Sequence, residues 1–144
     1  MATVIKRDCY HSLYENEWHG VMGTVPNQSF KVKIKGYTCG YLGMAPQQPW
    51  ELSNGVEMPH NHGWYLYLEL GHLYGCSGWV KQIAEYSDSV RDGSVVEVLF
   101  NKERREISYA INGVNKGLAY INLPAEDLYP SLLLQNSGSV KLLR

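Results

Sequence analysis

Cysteine is scarce in this chain of 144 residues: Cys9, Cys39 and Cys76 are odd in number and share no CxxC spacing. A disulfide scaffold pairs its cysteines and a structural zinc site spaces them closely, so reduced thiols are expected instead. The N-terminal segment lacks the apolar stretch of about 7–15 residues that a secretory signal needs, and no run approaches the roughly twenty of a membrane helix. Without that route, the sequon Asn27-Gln28-Ser29 reads as a chance tripeptide in a turn. Neither sign of charge dominates, since 13 Lys and Arg against 14 Asp and Glu leave a net charge of −1. That balance supplies no basic footprint for nucleic acid or an anionic membrane. Low-complexity linkers, charge blocks and internal repeats are also missing. The chain is expected to be one soluble, intracellular domain over 1–144, cytoplasmic or nuclear, and monomeric.

Catalytic constellations are absent too. A sandwich glycosidase needs two carboxylates at a set separation, usually from alternating positions on one strand. Here Glu69 and Glu97 are single acids on separate segments. No G-x-S-x-G elbow, P-loop or G-x-G-x-x-G occurs. The H-x-N-x-R and W-G-x-E-x-R strands of a galectin-type sugar site are missing as well. His60-Asn61-His62 offers two imidazoles, common metal ligands, but no third ligand at a clear spacing, and Pro59 and Gly63 mark a turn. His72 and Cys76 sit in other glycine-flanked turns without an evident partner. No catalytic residue, cofactor or metal is expected, and the chain reads as a non-enzyme.

What is present is alternation. Apolar residues make up 44% of the chain, enough for a packed core, while 14 glycines and 6 prolines punctuate short apolar runs. FKVKIKG puts Phe30, Val32 and Ile34 on one face and Lys31, Lys33 and Lys35 on the other. The glycine-rich YTCGYLGMA suggests a strand closely approached by another backbone or a facing sheet. WYLYLEL places Trp64, Leu66, Leu68 and Leu70 opposite Tyr65, Tyr67 and Glu69, with Leu73-Tyr74 as a short return strand. VVEVLFN and EISYAIN align Val96, Val98 and Phe100, then Ile107, Tyr109 and Ile111. Asn112-Gly113 suits a tight hairpin into NKGLAYI. LYPSLLLQ and SVKLLR, joined by Asn136-Ser137-Gly138, read as a last hairpin. The best helix candidates, Val80 to Tyr86 and Pro124 to Leu128, amount to single turns. About ten strands with both faces partly apolar imply an all-β sandwich of two packed antiparallel sheets.

At that point the order of motifs resembles the SPRY domain, a bent β-sandwich of concanavalin-like jelly-roll type. Gly93 to Gly113 matches the family's G-D-x-V-G-x-x-L-D, turn, I-x-F-x-x-N-G strand pair without a gap, with Asn101 where Asp is usual. Asn112-Gly113 through Ala119-Tyr120 matches N-G-x-x-x-G-x-A-F, and Leu128-Tyr129-Pro130-Ser131-Leu132 matches L-Y-P-x-x. Upstream, FKVKI is similar to the aromatic-E-V-x-I strand, with Lys31 in the acidic place. Gly40 to Ala45 and Gly63 to Tyr74 are similar to the two strands that follow. The resemblance spans roughly 18–144, and no Leu-Asp-Pro segment marks a PRY extension.

The resemblance implies a non-enzymatic module that binds a short peptide or loop of a partner protein through loops at one end of the sandwich. It points to the loop after Ala45 and the turn of the final strand pair. Trp50, between a proline and a glutamate, suits a rigid aromatic anchor, or a plug over the sandwich end. Gln47, Gln48, Gln135 and Asn136 carry amides suited to reading a peptide backbone, with Ser137, His60 and His62 beside them. Two other readings stay open: a scaffolding subunit packed through Tyr65/Tyr67 or the lysine face, and a lectin-like carbohydrate binder.

Overall fold

In Phe30–Lys35, Val32 and Ile34 are buried while Lys31, Lys33 and Lys35 are exposed, so period-2 patterning decides which face meets the core. The computed structural model describes residues 3–6, 9–12, 19–36, 39–47, 63–75, 82–135 and 139–143, with backbone alone at 3–6, 9–12, 19–21, 39, 82–84 and 135. Strands are numbered in chain order. The first sheet runs β1 (Thr3–Lys6), β2 (Cys9–Ser12), β13 (Ser139–Leu143), β4 (Phe30–Lys35), β9 (Val95–Asn101), β10 (Glu106–Ile111), β11 (Val114–Tyr120). The second runs β3 (His19–Met22), β12 (Tyr129–Gln135), β5 (Cys39–Ala45), β6 (Trp64–Tyr67), β7 (His72–Gly75), β8 (Gln82–Glu85). Neighbours pair antiparallel throughout.

Between the sheets, Val32, Ile34, Val96, Val98, Phe100 and Ile107 meet Leu42, Met44, Leu66, Leu132 and Leu134. Tyrosine hydroxyls cross this layer. Tyr109, fully buried, donates to the Leu42 carbonyl at 2.9 Å. The Tyr120 hydroxyl lies 2.7 Å from the Tyr65 carbonyl and 2.9 Å from that of Tyr74, with one proton for both. Such bonds fix the lateral registry of two sheets that hydrophobic contact alone leaves free to slide, each at about 1 kcal/mol net.

Burial pushes the Tyr109 phenol well above its ordinary value, helped by the neighbouring Tyr120, Tyr86 and Tyr65; burial also raises Tyr86, against the lowering effect of its hydrogen bond with the Tyr109 backbone. In the unfolded chain a tyrosine ionises near pH ~10. The unfolded chain therefore loses these protons first. The stability lent by the neutral tyrosines is complete below about pH 10 and drains away as pH climbs toward the raised values. Urea midpoints are expected to be flat at moderately alkaline pH and to fall above about 10, with a shallower fall in Tyr109→Phe. An equal fall in both proteins would assign the alkaline loss to other groups.

Several local expectations change. The segment proposed as a helical turn at Val80 to Tyr86 contributes β8, whose Leu73↔Ala84 pairing completes the second sheet, and 124–128 is a bend. Pairing with β7 outweighs local propensity there. Leu70 is 48% exposed, because β6 ends at Tyr67 and the Gly71 amide closes a turn on the Tyr67 carbonyl at 2.8 Å. His72 begins β7 instead of lying in the turn. The last two strands form no hairpin: β12 lies in the second sheet and β13 in the first, so the chain arches between layers.

The outward face of the second sheet is aromatic. Tyr41 stacks on Tyr67 at 4.7 Å, and Tyr74 meets both edge-on at 5.6 Å. Tyr65 is wholly buried, its hydroxyl 2.9 Å from Ser131 Oγ. By register Gly43 stands between them, opposite Tyr65 on one side and Ser131 on the other, so the ring passes over a residue with no side chain. Tyr65 is thus unavailable to the scaffolding contact considered from the sequence.

Candidate interaction surface

Strand register separates two ends of the sandwich. Ala45 pairs with Tyr129, whereas Cys39 pairs with Gln135. The loop after Ala45 and the β12–β13 arch, expected to form one surface, therefore leave opposite ends of the same strand pair. Six residue steps separate them, roughly 20 Å. Gln47, exposed, belongs to the first end, and the backbone of Gln135 to the second. Gln48, Trp50, His60, His62, Asn136 and Ser137, together with Cys76, lie outside the described residues.

The Gln135 end is tied by main-chain amides bonded to main-chain carbonyls and to side-chain oxygens. Val90 N donates to the Leu68 carbonyl and Gly93 N to that of Ile34, and the Gly36 amide donates to Asp92 Oδ1 at 2.7 Å. Asn112 and Gly113 adopt φ of 51° and 83°, as the Asn-Gly turn requires, and Asn112 Oδ1 accepts the Val95 amide at 2.9 Å.

The Tyr129 end collects the 23–29 connection, Pro46-Gln47, the 102–105 turn and the 121–128 connection. Arg105 organises it. Its Nε and Nη2 donate to the Pro124 carbonyl at 3.0 and 2.7 Å, and Nη2 also reaches the Glu126 carbonyl. Nη1 lies 3.4 Å from Asn27 Oδ1, and the guanidinium carbon sits 4.9 Å above the Phe100 ring. Asn27, at φ 60°, accepts the Leu128 amide at 3.1 Å and donates to Asp127 at 3.0 Å. Asn101, standing where the family usually has Asp, accepts the Arg104 amide at 3.0 Å, a turn-closing bond open to either side chain.

Beside this clamp a groove of about 440 Å³ enters between the sheets, lined by Val25, Phe30, Val32, Pro130, Leu132 and Leu142, with Thr24 and Gln28 at its mouth. Val25, on its rim, is 51% exposed, and Ile121 in the 121–128 connection is 57% exposed. β3 and β5 flank β12, so the groove side and Gln47 stand two strand spacings apart, about 10 Å. Sequence reasoning missed Val25, Gln28 and Arg105. The helpful signal was Pro26-Asn27, a turn pair in which Asn tolerates positive φ. Among the described residues no three His, Cys, Asp or Glu side chains gather closely enough to hold a metal ion.

The family profile of the SPRY domain matches residues 28–143. The chain belongs to the SPRY domain family. The solved SPRY domain of human HERC1 superposes with a TM-score of 0.73 at 17% identity, over 97% of this chain and 91% of that one. A further human SPRY domain gives 0.77 at 13% identity, over 97% and 93%. At such identities the likeness speaks for the fold. No curated protein matches the sequence. SPRY domains are generally protein-interaction modules rather than enzymes.

Proposed function

We propose that this SPRY domain recognises a short peptide or loop of a partner protein at its Tyr129 end. The groove beside Val25 carries the proposal: it is apolar within, polar at its mouth, and framed by loops that Arg105 and Asn27 hold in place. An apolar partner side chain would enter between Val25 and Pro130. The amides of Gln28 and Gln47 would meet the partner's main chain. Gln48 follows Gln47 directly in sequence and Trp50 two residues later, and both join the assignment, Trp50 as the aromatic anchor. Loops fixed before binding limit the ordering cost of association.

Capture of partner proteins, followed by peptide tiling of what is bound, tests the assignment. Val25→Glu is expected to weaken the bound peptide by about 30-fold, the loss of roughly 2 kcal/mol typical of a central anchor. Trp50→Ala is expected to weaken it comparably, while Lys116→Ala on β11 leaves it unchanged. Full affinity in Val25→Glu would remove the groove from the binding site.

A further inference from the structure

The first sheet presents a lysine face on its interior strands. Lys31, Lys33 and Lys35 are exposed at alternate positions of β4, and Lys141 is exposed on β13 directly opposite Lys33. Lys6 stands at the end of the same cross-strand row, through Cys9. Lysine on an edge strand has a ready explanation, because it discourages pairing with another chain. β13 and β4 are the third and fourth of seven strands, so that explanation fails here. Like charges directly opposite across a strand pair destabilise the sheet. Glu97 stands opposite Lys31, but the neighbours of Lys33 are Lys141 and Val95. The side chains of Lys33 and Lys141 make no hydrogen bond or ion pair with any described residue; Lys35 is engaged, and nothing here depends on it being free.

A net charge of −1 makes this concentration local, not a property of the whole surface. We infer that the lysine face is a second docking surface, and that its occupant is an acidic protein segment with Asp or Glu at alternate positions. The dimensions fit such a segment. Lys31 and Lys33 lie about 7 Å apart along β4, and Lys141 adds a second row about 5 Å away. An extended chain carries every second side chain on one face at the same repeat, so its carboxylates fall over the lysines in turn. Nucleic acid fits less well, since no aromatic residue occupies the outward positions of β13, β4, β9 or β10 to stack on a base.

The test uses a fluorescent twelve-residue peptide of alternating glutamate and serine, and an isomer with the same glutamates in one block. Wild type is expected to bind the alternating peptide saturably, more tightly than the blocked one, with affinity falling as salt rises. Lys33→Gln with Lys141→Gln is expected to weaken that binding at least tenfold. The same double variant, with that like-charge contact removed, is expected to melt no lower than wild type, which separates lost binding from lost folding. Equal binding by wild type and the double variant would overturn the inference. So would tighter binding to a duplex oligonucleotide or to phosphatidylserine vesicles than to the alternating peptide. The Val25→Glu variant is expected to bind the acidic peptide normally, so the two surfaces stand or fall separately.

Discussion

Gly43→Ala is expected to lower the melting temperature of this domain by about 6–12 °C, the consequence of a loss near 3 kcal/mol. A methyl group there overlaps the Trp64 carbonyl oxygen and comes within 2.9 Å of the Tyr65 Cα. Both are main-chain atoms of β6, which is held from its far side by β7. Relief therefore requires β5 and β6 to part, and that also disturbs the Tyr65 ring spanning Gly43 to reach Ser131. Gly36→Ala is the matched control. Gly36 has φ 72° but nothing within 4 Å of an added methyl. Its alanine variant carries backbone strain alone, about 1 kcal/mol. Thermal melts of the two variants separate close approach from dihedral strain, and equal losses would place the Gly43 effect in the backbone.

Arg105→Ala is expected to cost about 2–3 kcal/mol, discounted for the solvent exposure of several of its bonds. The side chain gathers the carbonyls of Pro124 and Glu126 and covers Phe100. Its absence unfastens the 121–128 connection from the 102–105 turn. The backbone supplies a second readout, because Arg105 sits at φ 55°, where a non-glycine residue is strained. Arg105→Gly is expected to lose the same bonds but to be more stable than Arg105→Ala by about 1 kcal/mol. Both variants are expected to exchange amides of 121–128 faster and to bind the groove peptide more weakly. Unchanged exchange would reduce Arg105 to a surface contact.

The first sheet was largely legible from the sequence because its strands alternate cleanly. Val32 and Ile34, Val96 and Val98, and Ile107 and Tyr109 all face inward as their spacing requires. The second sheet was harder to read, because its strands bury residues on both faces. Tyr65 and Leu66 are adjacent and both fully buried, as are Leu132 to Leu134 to within a few per cent, so a period-2 reading has no polar face to find. An arch between sheets and a hairpin within one sheet share the same turn residues. Asn136-Ser137-Gly138 could not distinguish them; the strand pairing does. The same ambiguity put the loop after Ala45 and the Gln135 turn on one surface, when they leave opposite ends of seven-residue strands. Positive φ at Arg105 leaves no trace in residue identity, so the organiser of the Tyr129 end was invisible.

The strand order also bears on how the domain comes into being during translation. β13 lies between β2 and β4, and β12 lies between β3 and β5, so the last two of the described strands fill interior positions of both sheets. Until they leave the ribosome, β4 and β5 each keep a bare row of amides and carbonyls. The β1–β2 pair and β3 have no further strand of their sheets to join. Neither layer can close stepwise behind the growing chain. Completion of both layers waits on these distant pairings, a slow class of topology that leaves strand edges open to aggregation in the interval.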